Sequence, residues 1–94
     1  MAATLLSTKE LESLHQTLPH WSMVDGQLER SWSFSNFVQA WGFMSRVALI
    51  AQAMDHHPNW SNAYGSVTIR LSTHDLGGLS NLDVTLAETI DRLD

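Results

Sequence analysis

The sequence contains no cysteine, which excludes disulfide bridges, thiolate zinc sites and a cysteine nucleophile. Basic residues are also few, with five Lys and Arg against ten Asp and Glu and a formal net charge of -5. Affinity for phosphate backbones depends on clustered Lys and Arg. Because these five are scattered along the chain, nucleic acid is not expected as a direct ligand.

Long apolar runs are missing as well. No stretch approaches the ~18 apolar residues of a membrane span, and the start from Met1 to Leu6 lacks the basic and apolar regions of a secretory signal. No linker, repeat or low-complexity tract interrupts the chain. We therefore expect one domain over residues 1–94, a cytoplasmic location and no membrane partner. A chain this short buries a limited share of its surface, which favours self-association.

Capping patterns and turn residues outline the elements. Ser7 and Glu10 form a capping box that predicts a helix from Thr8, ended by Pro19. Asp25-Gly26 suits a type I′ turn between two strands, predicted at Trp21 to Val24 and Gln27 to Phe34.

From Ser35 to Asp55 the apolar period becomes helical, and the apolar arc covers roughly half the circumference. Two explanations stay open: this helix packs on another subunit, or it is a central helix enclosed by its own domain. The large aromatic side chains are assigned to the core, namely Trp21, Trp32, Phe34, Phe37, Trp41 and Phe43.

Two strands and a helix follow Pro58. The strands are predicted at Trp60 to Ala63 and Val67 to Thr73, with a turn between them. Ser80 and Asp83 form a second capping box, which opens the last helix. The order αββαββα predicts an antiparallel α+β fold.

Three of the five histidines fall at element ends. Because Pro58 disfavours helical geometry at His57, His56 and His57 are expected in the last turn of the long helix or just beyond it, where the helix dipole favours a protonated imidazole. His74 ends a strand. Histidine gives and takes protons near neutral pH, so acid/base chemistry is predicted. The alternative is that each histidine is a helix cap or a solvated side chain. The indole of Trp60 beside the imidazoles would wall an apolar, ring-sized pocket.

Metal binding and nucleophilic catalysis are disfavoured. Adjacent histidines diverge in a helix or a strand, unlike an i, i+4 pair that places two ligands on one face, so no metal site is predicted. Ser72 and Ser80 lack a nucleophile elbow around them, and Ser80 is explained as a helix cap.

These residues resemble the pterin-4a-carbinolamine dehydratase family, also known as dimerisation cofactors of a homeodomain transcription factor. The resemblance covers nearly the whole chain and is weakest before Trp21. The matching segments are Phe34 to Ala40, Phe43 to Ala48, His56-His57-Pro58-Asn59-Trp60, and Leu71 to Ser80 with Asp83.

The resemblance implies a four-stranded antiparallel sheet with three helices on one face. It also implies loss of water from 4a-hydroxytetrahydropterin to give quinonoid dihydropterin, without metal or organic cofactor, as a step in tetrahydropterin recycling. The implied partners are the pterin substrate and further copies of the chain, as a homodimer or homotetramer joined through the sheet edge and the long helix. An aromatic amino acid hydroxylase, which makes the substrate, is the candidate protein partner.

Carried over by position, the catalytic set is His56, His57 and His74. The implied substrate-binding set is Asp55, His56, His57, Pro58, Trp60, Ser72, Thr73, His74 and Asp75.

Two positions depart from the family pattern. Gln52 stands where members often have glutamate, which removes a charged partner for the histidines. Leu82 replaces an arginine of animal members, and a change at the pocket rim or an interface is expected. Two rival functions stay open: a protein-interaction module that uses the long apolar helix, and a protein that binds pterin without turnover.

Overall fold

The computed structural model describes residues 2–93. The single domain predicted for residues 1–94 thus includes two terminal residues outside the described range. The elements follow the order helix, two strands, helix, two strands, helix, as predicted. They are α1 (Thr8–Thr17), β1 (Ser22–Val24), β2 (Gln27–Ser33), α2 (Phe37–Met54), β3 (Asn59–Ala63), β4 (Ser66–Leu71) and α3 (Asn81–Asp91).

The four strands form one antiparallel sheet in the order β1-β2-β4-β3. The turn between β1 and β2 has positive φ at both Asp25 (52°) and Gly26 (75°), as a type I′ turn requires. β4 lies in the middle of the sheet, so the residues that follow Leu71 start near the centre of the fold.

One face of the sheet carries the core. Val67, Ile69 and Leu71 alternate along β4 and are fully buried against side chains from all three helices. The opposite face carries Thr68 and Arg70, and Arg70 donates to Glu29 on the neighbouring strand. This period-2 alternation is that of a sheet covered on one side, and the α+β fold class is confirmed.

Both predicted capping boxes are present and fix the helix starts. Ser7 and Glu10 exchange backbone and side-chain hydrogen bonds before α1, and Ser80 and Asp83 do the same before α3. The backbone N–H of Ser7, and then its hydroxyl, lower the pKa of the Glu10 carboxyl. α1 begins at Thr8 as predicted, and Pro19 follows its C-cap.

The assignment of Phe37 and Trp41 to the core is wrong. Their side chains are 52% and 57% exposed and stack on each other with ring centroids 6.0 Å apart. The helix buries the face made by Ala40, Phe43 and Val47 instead. Because the apolar arc is wider than the sheet contact, part of it lies outside the core.

Candidate active site

The long helix ends at a turn that the sequence places just before the paired histidines. Asp55 is its C-cap in the left-handed conformation, with φ 52° and ψ 42°. The Asp55 and His56 amides both donate to Ala51 O, the latter at 3.0 Å, which closes the helix. His56 and His57 therefore lie just beyond α2, one of the two positions predicted from Pro58.

His56 is the buried member of the pair, only 9% exposed. Its ring Nε2 lies 2.6 Å from Oδ1 of Asp83, whose carboxylate is fully buried at the start of α3. Oδ2 of the same carboxylate accepts from the Thr73 hydroxyl at 2.8 Å and from the Ser80 amide at 2.9 Å. Three donors therefore converge on one buried carboxylate.

This arrangement selects the protonation pattern of His56. A carboxylate only accepts hydrogen bonds, so Nε2 of His56 carries a hydrogen and donates a hydrogen bond to Asp83. Nδ1 is then the ring nitrogen that can take up or release a proton. A buried carboxylate behind an imidazole also stabilises the imidazolium that forms when the ring accepts a proton.

Two hydroxyl groups in series, those of Thr73 and Ser80, support the Asp83 carboxylate. The Ser80 hydroxyl lies 2.6 Å from that of Thr73. Since Thr73 donates to Asp83, its oxygen accepts from Ser80. Thr73 and Ser80 are themselves buried, so the carboxylate is held by groups that have little freedom to move.

The other two histidines are exposed. His57 lies 2.9 Å, Nε2 to Oε1, from the amide oxygen of Gln52 one turn back in α2. Gln52 thus gives His57 a neutral partner rather than a charged one. β4 ends at Leu71 and not at Thr73 as predicted. His74 therefore lies beyond the strand and begins a 3₁₀ turn, His74–Leu76.

The three histidines line one open cavity of about 240 Å³. Seven of the nine predicted binding residues lie around it, namely Asp55, His56, His57, Ser72, Thr73, His74 and Asp75. Helix end, strand end and 3₁₀ turn meet here, which is why residues far apart in sequence converge.

Of the described residues, Pro58 and Trp60 are not among those that line this cavity. The expectation that Trp60 walls it is wrong, because Trp60 pairs with Ile69 in the sheet register and packs against the core. The Trp60 indole instead lines a groove with Trp41, Met44 and Ala48 of α2. The histidine cavity is accordingly more polar than the sequence predicted.

Sequence reasoning missed the role of Asp83. The residue is fully explained as the third position of a capping box, and nothing in the pattern links it to His56, 27 positions earlier. Leu82 next to it is buried and does not line the histidine cavity.

Within residues 2–93, no group of three or more His, Asp or Glu side chains could hold a metal ion. Within the same residues, no helix is both long and apolar enough to cross a bilayer.

The chain matches known proteins over nearly its whole length. A family profile described as pterin 4 alpha carbinolamine dehydratase matches residues 4–93. A protein of Synechococcus sp. (strain WH7803), named for the same dehydratase, is 59% identical over 91 residues, which cover 97% of this chain and 98% of that protein.

Two solved structures share the fold. The transcriptional coactivator/pterin dehydratase from Brucella melitensis is 36% identical, with a TM-score of 0.88 over 95% of this chain and 97% of that one. A pterin dehydratase-like protein, identified as a RuBisCO assembly factor in the alpha-carboxysome, is 22% identical, with a TM-score of 0.63 over 78% of this chain and 84% of that one. The second likeness concerns the fold alone. With the profile match and the relative's identity over nearly its full length, the chain belongs to the pterin-4-alpha-carbinolamine dehydratase family.

Proposed function

We propose that this protein removes water from 4a-hydroxytetrahydropterin by histidine acid/base catalysis. The hydroxyl on C4a leaves with an added proton as water, N5 loses its proton, and a C4a–N5 double bond forms. The product is quinonoid dihydropterin. The observation that carries this proposal is the convergence of three imidazoles on one cavity, one of them backed by the buried Asp83.

The two proton transfers fall to different histidines. His56 is the base at N5, because the carboxylate behind it stabilises the imidazolium that forms. His74, exposed at the cavity, protonates the departing hydroxyl. His57, tied to Gln52, orients the ring. Imidazoles supply both transfers near neutral pH without a cofactor.

Alanine replacements test these roles. The dehydration rate is measured above the spontaneous reaction, with substrate generated enzymatically. We expect His56→Ala and His74→Ala each to lower kcat/KM by about 10²-fold or more, and His57→Ala by less. The matched control is His15→Ala, since His15 is exposed on α1. The mechanism fails if both His56→Ala and His74→Ala retain the wild-type kcat/KM.

In this proposal the enzyme serves tetrahydropterin recycling in the cytoplasm, downstream of an aromatic amino acid hydroxylase that makes the substrate. It works as a homodimer or homotetramer through the α2 face and the β3 edge, since exposed apolar side chains such as Trp41 make this region suited to self-association.

A second candidate function is a protein-interaction module. Val38 and Leu49 add to the exposed apolar face of α2, at 79% and 75% exposed, and the fold alone does not fix activity. The neutral Gln52 also favours a third candidate, pterin binding without turnover. Wild-type protein that binds pterin but gives no rate above the spontaneous reaction would select that third candidate.

A further inference from the structure

Residues 2–6, called segment 2–6 below, pair with the residues that open α3. Leu5 and Ser80 lie opposite each other in an antiparallel bridge. The Leu79 carbonyl accepts from an amide of the segment at 3.0 Å, and the Asn81 amide donates to one of its carbonyls at 3.1 Å. Segment 2–6 therefore holds the backbone on both sides of Ser80.

The Asn81 side chain adds two hydrogen bonds to the same segment. Its Oδ1 accepts from the Thr4 amide at 2.7 Å, and its Nδ2 donates to Ala2 O at 3.1 Å. These contacts use both the oxygen and the nitrogen of the side-chain amide. Alanine at this position would lose both bonds and keep the backbone bond to Thr4 O.

Ser80, between the two held positions, contacts the hydrogen-bond network of the site. Its amide donates to Oδ2 of Asp83 at 2.9 Å, and its hydroxyl lies 2.6 Å from that of Thr73, which also donates to Oδ2. A shift of the Ser80 backbone would therefore move the groups that hold Oδ2. The same shift would reorient Oδ1, which accepts from His56.

The hydrogen bond between His56 and Asp83 depends on this orientation. It is short, at 2.6 Å, and both side chains are buried. Hydrogen bonds weaken steeply as their angles depart from linearity, so a small rotation of the carboxylate would weaken this one. None of residues 2–6 lines the histidine cavity. Any effect of segment 2–6 on the site therefore passes through Ser80 and Asp83.

We propose that segment 2–6 supports the active site and that Asn81 is a positioning residue for the proposed dehydration. Asn81 binds the segment against the start of α3, and Ser80 then holds the Asp83 carboxylate in the orientation that accepts from His56. The effect on turnover rests on the proposed function. The effect on the hydrogen bond between His56 and Asp83 does not.

NMR of the wild type and two variants tests the hydrogen bond directly. The Nε2 proton of His56 should give a downfield, slowly exchanging resonance, because it is buried and bonded to a carboxylate. We expect Asn81→Ala to move this resonance upfield and to speed its exchange with water by about 3- to 10-fold.

The matched control is Asn62→Ala. The Asn62 side-chain amide also binds backbone, donating to Tyr64 O at 3.0 Å and to Ser66 O at 2.9 Å. It lies beside the β3–β4 turn, at the end of β4 away from the histidines. Asn62→Ala should leave the His56 resonance unchanged.

Steady-state kinetics measure the consequence for turnover. Asn81→Ala should lower kcat by about 3- to 10-fold with KM unchanged, the effect of weakening one hydrogen bond to the catalytic base. Asn62→Ala should keep the wild-type kcat at a similar loss of stability in urea denaturation. A residue that only stabilises the fold would give equal kcat in the two variants.

Deletion of residues 2–5 shows whether Asn81 acts through the segment. The deletion removes the Ala2 and Thr4 groups that Asn81 binds and keeps Leu6, which packs against the core. It should lower kcat at least as much as Asn81→Ala does. In the deleted chain, Asn81→Ala should add nothing. A further loss of the same size there would overturn the role of the segment.

The NMR and kinetic results can fail independently. An unchanged His56 resonance in folded Asn81→Ala, its absence from the wild type, or an equal fall of kcat in Asn62→Ala would overturn the positioning role alone. An altered resonance in a protein whose wild type gives no rate above the spontaneous reaction would overturn the dehydratase and leave the positioning role standing. If Asn81→Ala does not fold, the deletion variant carries the same NMR test.

Discussion

Asp83 has two roles, one in stability and one at the site, and a substitution that removes its charge can measure them separately. The carboxylate caps α3 and also accepts a hydrogen bond from Nε2 of His56. Asp83→Asn keeps the shape but presents an amide to His56, which then favours the other tautomer. We expect kcat to fall by about 10²-fold or more, together with a stability loss of about 1–3 kcal/mol from the disturbed buried network. Steady-state kinetics and urea denaturation measure the two effects.

The matched control lies on the same helix. Asp91 accepts hydrogen bonds from Trp21 at 2.8 Å and from Arg30 at 2.6 Å, near the end of α3 away from the histidines. Asp91→Asn should cost about 1 kcal/mol of stability and leave kcat unchanged. If Asp83→Asn loses stability but keeps wild-type kcat, the carboxylate is a cap and nothing more.

At the scale of single residues, sequence reasoning fails where one side chain has two partners. The pattern around Asp83 explains it completely as a cap, so nothing prompts a search for His56. Trp60 shows the opposite failure, since closeness in sequence to the histidines suggested a shared pocket. Its position in β3 turns the indole to the α2 side of the sheet. Strand alternation outweighs sequence proximity.

Among the elements, the end of α2 is the turn on which the site depends. Asp55 adopts φ 52° there, a conformation that costs a residue with a Cβ about 1 kcal/mol and glycine almost nothing. Asp55→Ala and Asp55→Gly both remove the carboxylate, so they differ only in the Cβ. We expect the glycine variant to be about 1 kcal/mol more stable in urea denaturation. Both should show the same dehydration rate.

Equal stability of the two Asp55 variants would mean that the turn adjusts when the side chain changes. In that case the left-handed conformation of Asp55 would carry no measurable cost. The comparison therefore measures the strain at the helix end that precedes the buried histidine.

The element order was predictable because each boundary carries a local signal. Capping boxes, Asp25-Gly26 and Pro58 act through nearby backbone hydrogen bonds and fixed torsions. The exposed side of α2 was not predictable in the same way. An apolar arc does not say whether it faces the chain's own sheet or another surface, and the structure leaves Phe37 and Trp41 outside the core.

For the whole molecule, that exposed side is continuous with a sheet edge. Trp41, Met44 and Ala48 of α2 line a groove together with Trp60 of β3, and β3 pairs only with β4 in the part of the chain that the structure describes. An open strand edge beside exposed apolar side chains is a ready site for association. The histidine cavity, in contrast, is lined by seven residues of a single chain.

A charged side chain introduced on this surface should therefore disrupt assembly and leave catalysis intact. We expect Trp41→Glu to reduce the mass measured by light scattering from that of a dimer or tetramer to that of one chain, because a carboxylate is costly in an apolar contact. Met23→Glu, an exposed apolar position on the β1 edge, is the control and should leave the mass unchanged. Dehydration per chain should persist in Trp41→Glu, since the three histidines and Asp83 come together within one chain. A wild-type protein that is already a single chain in solution would contradict the assembly. Loss of turnover in a folded Trp41→Glu monomer would mean that a second copy supplies part of the site.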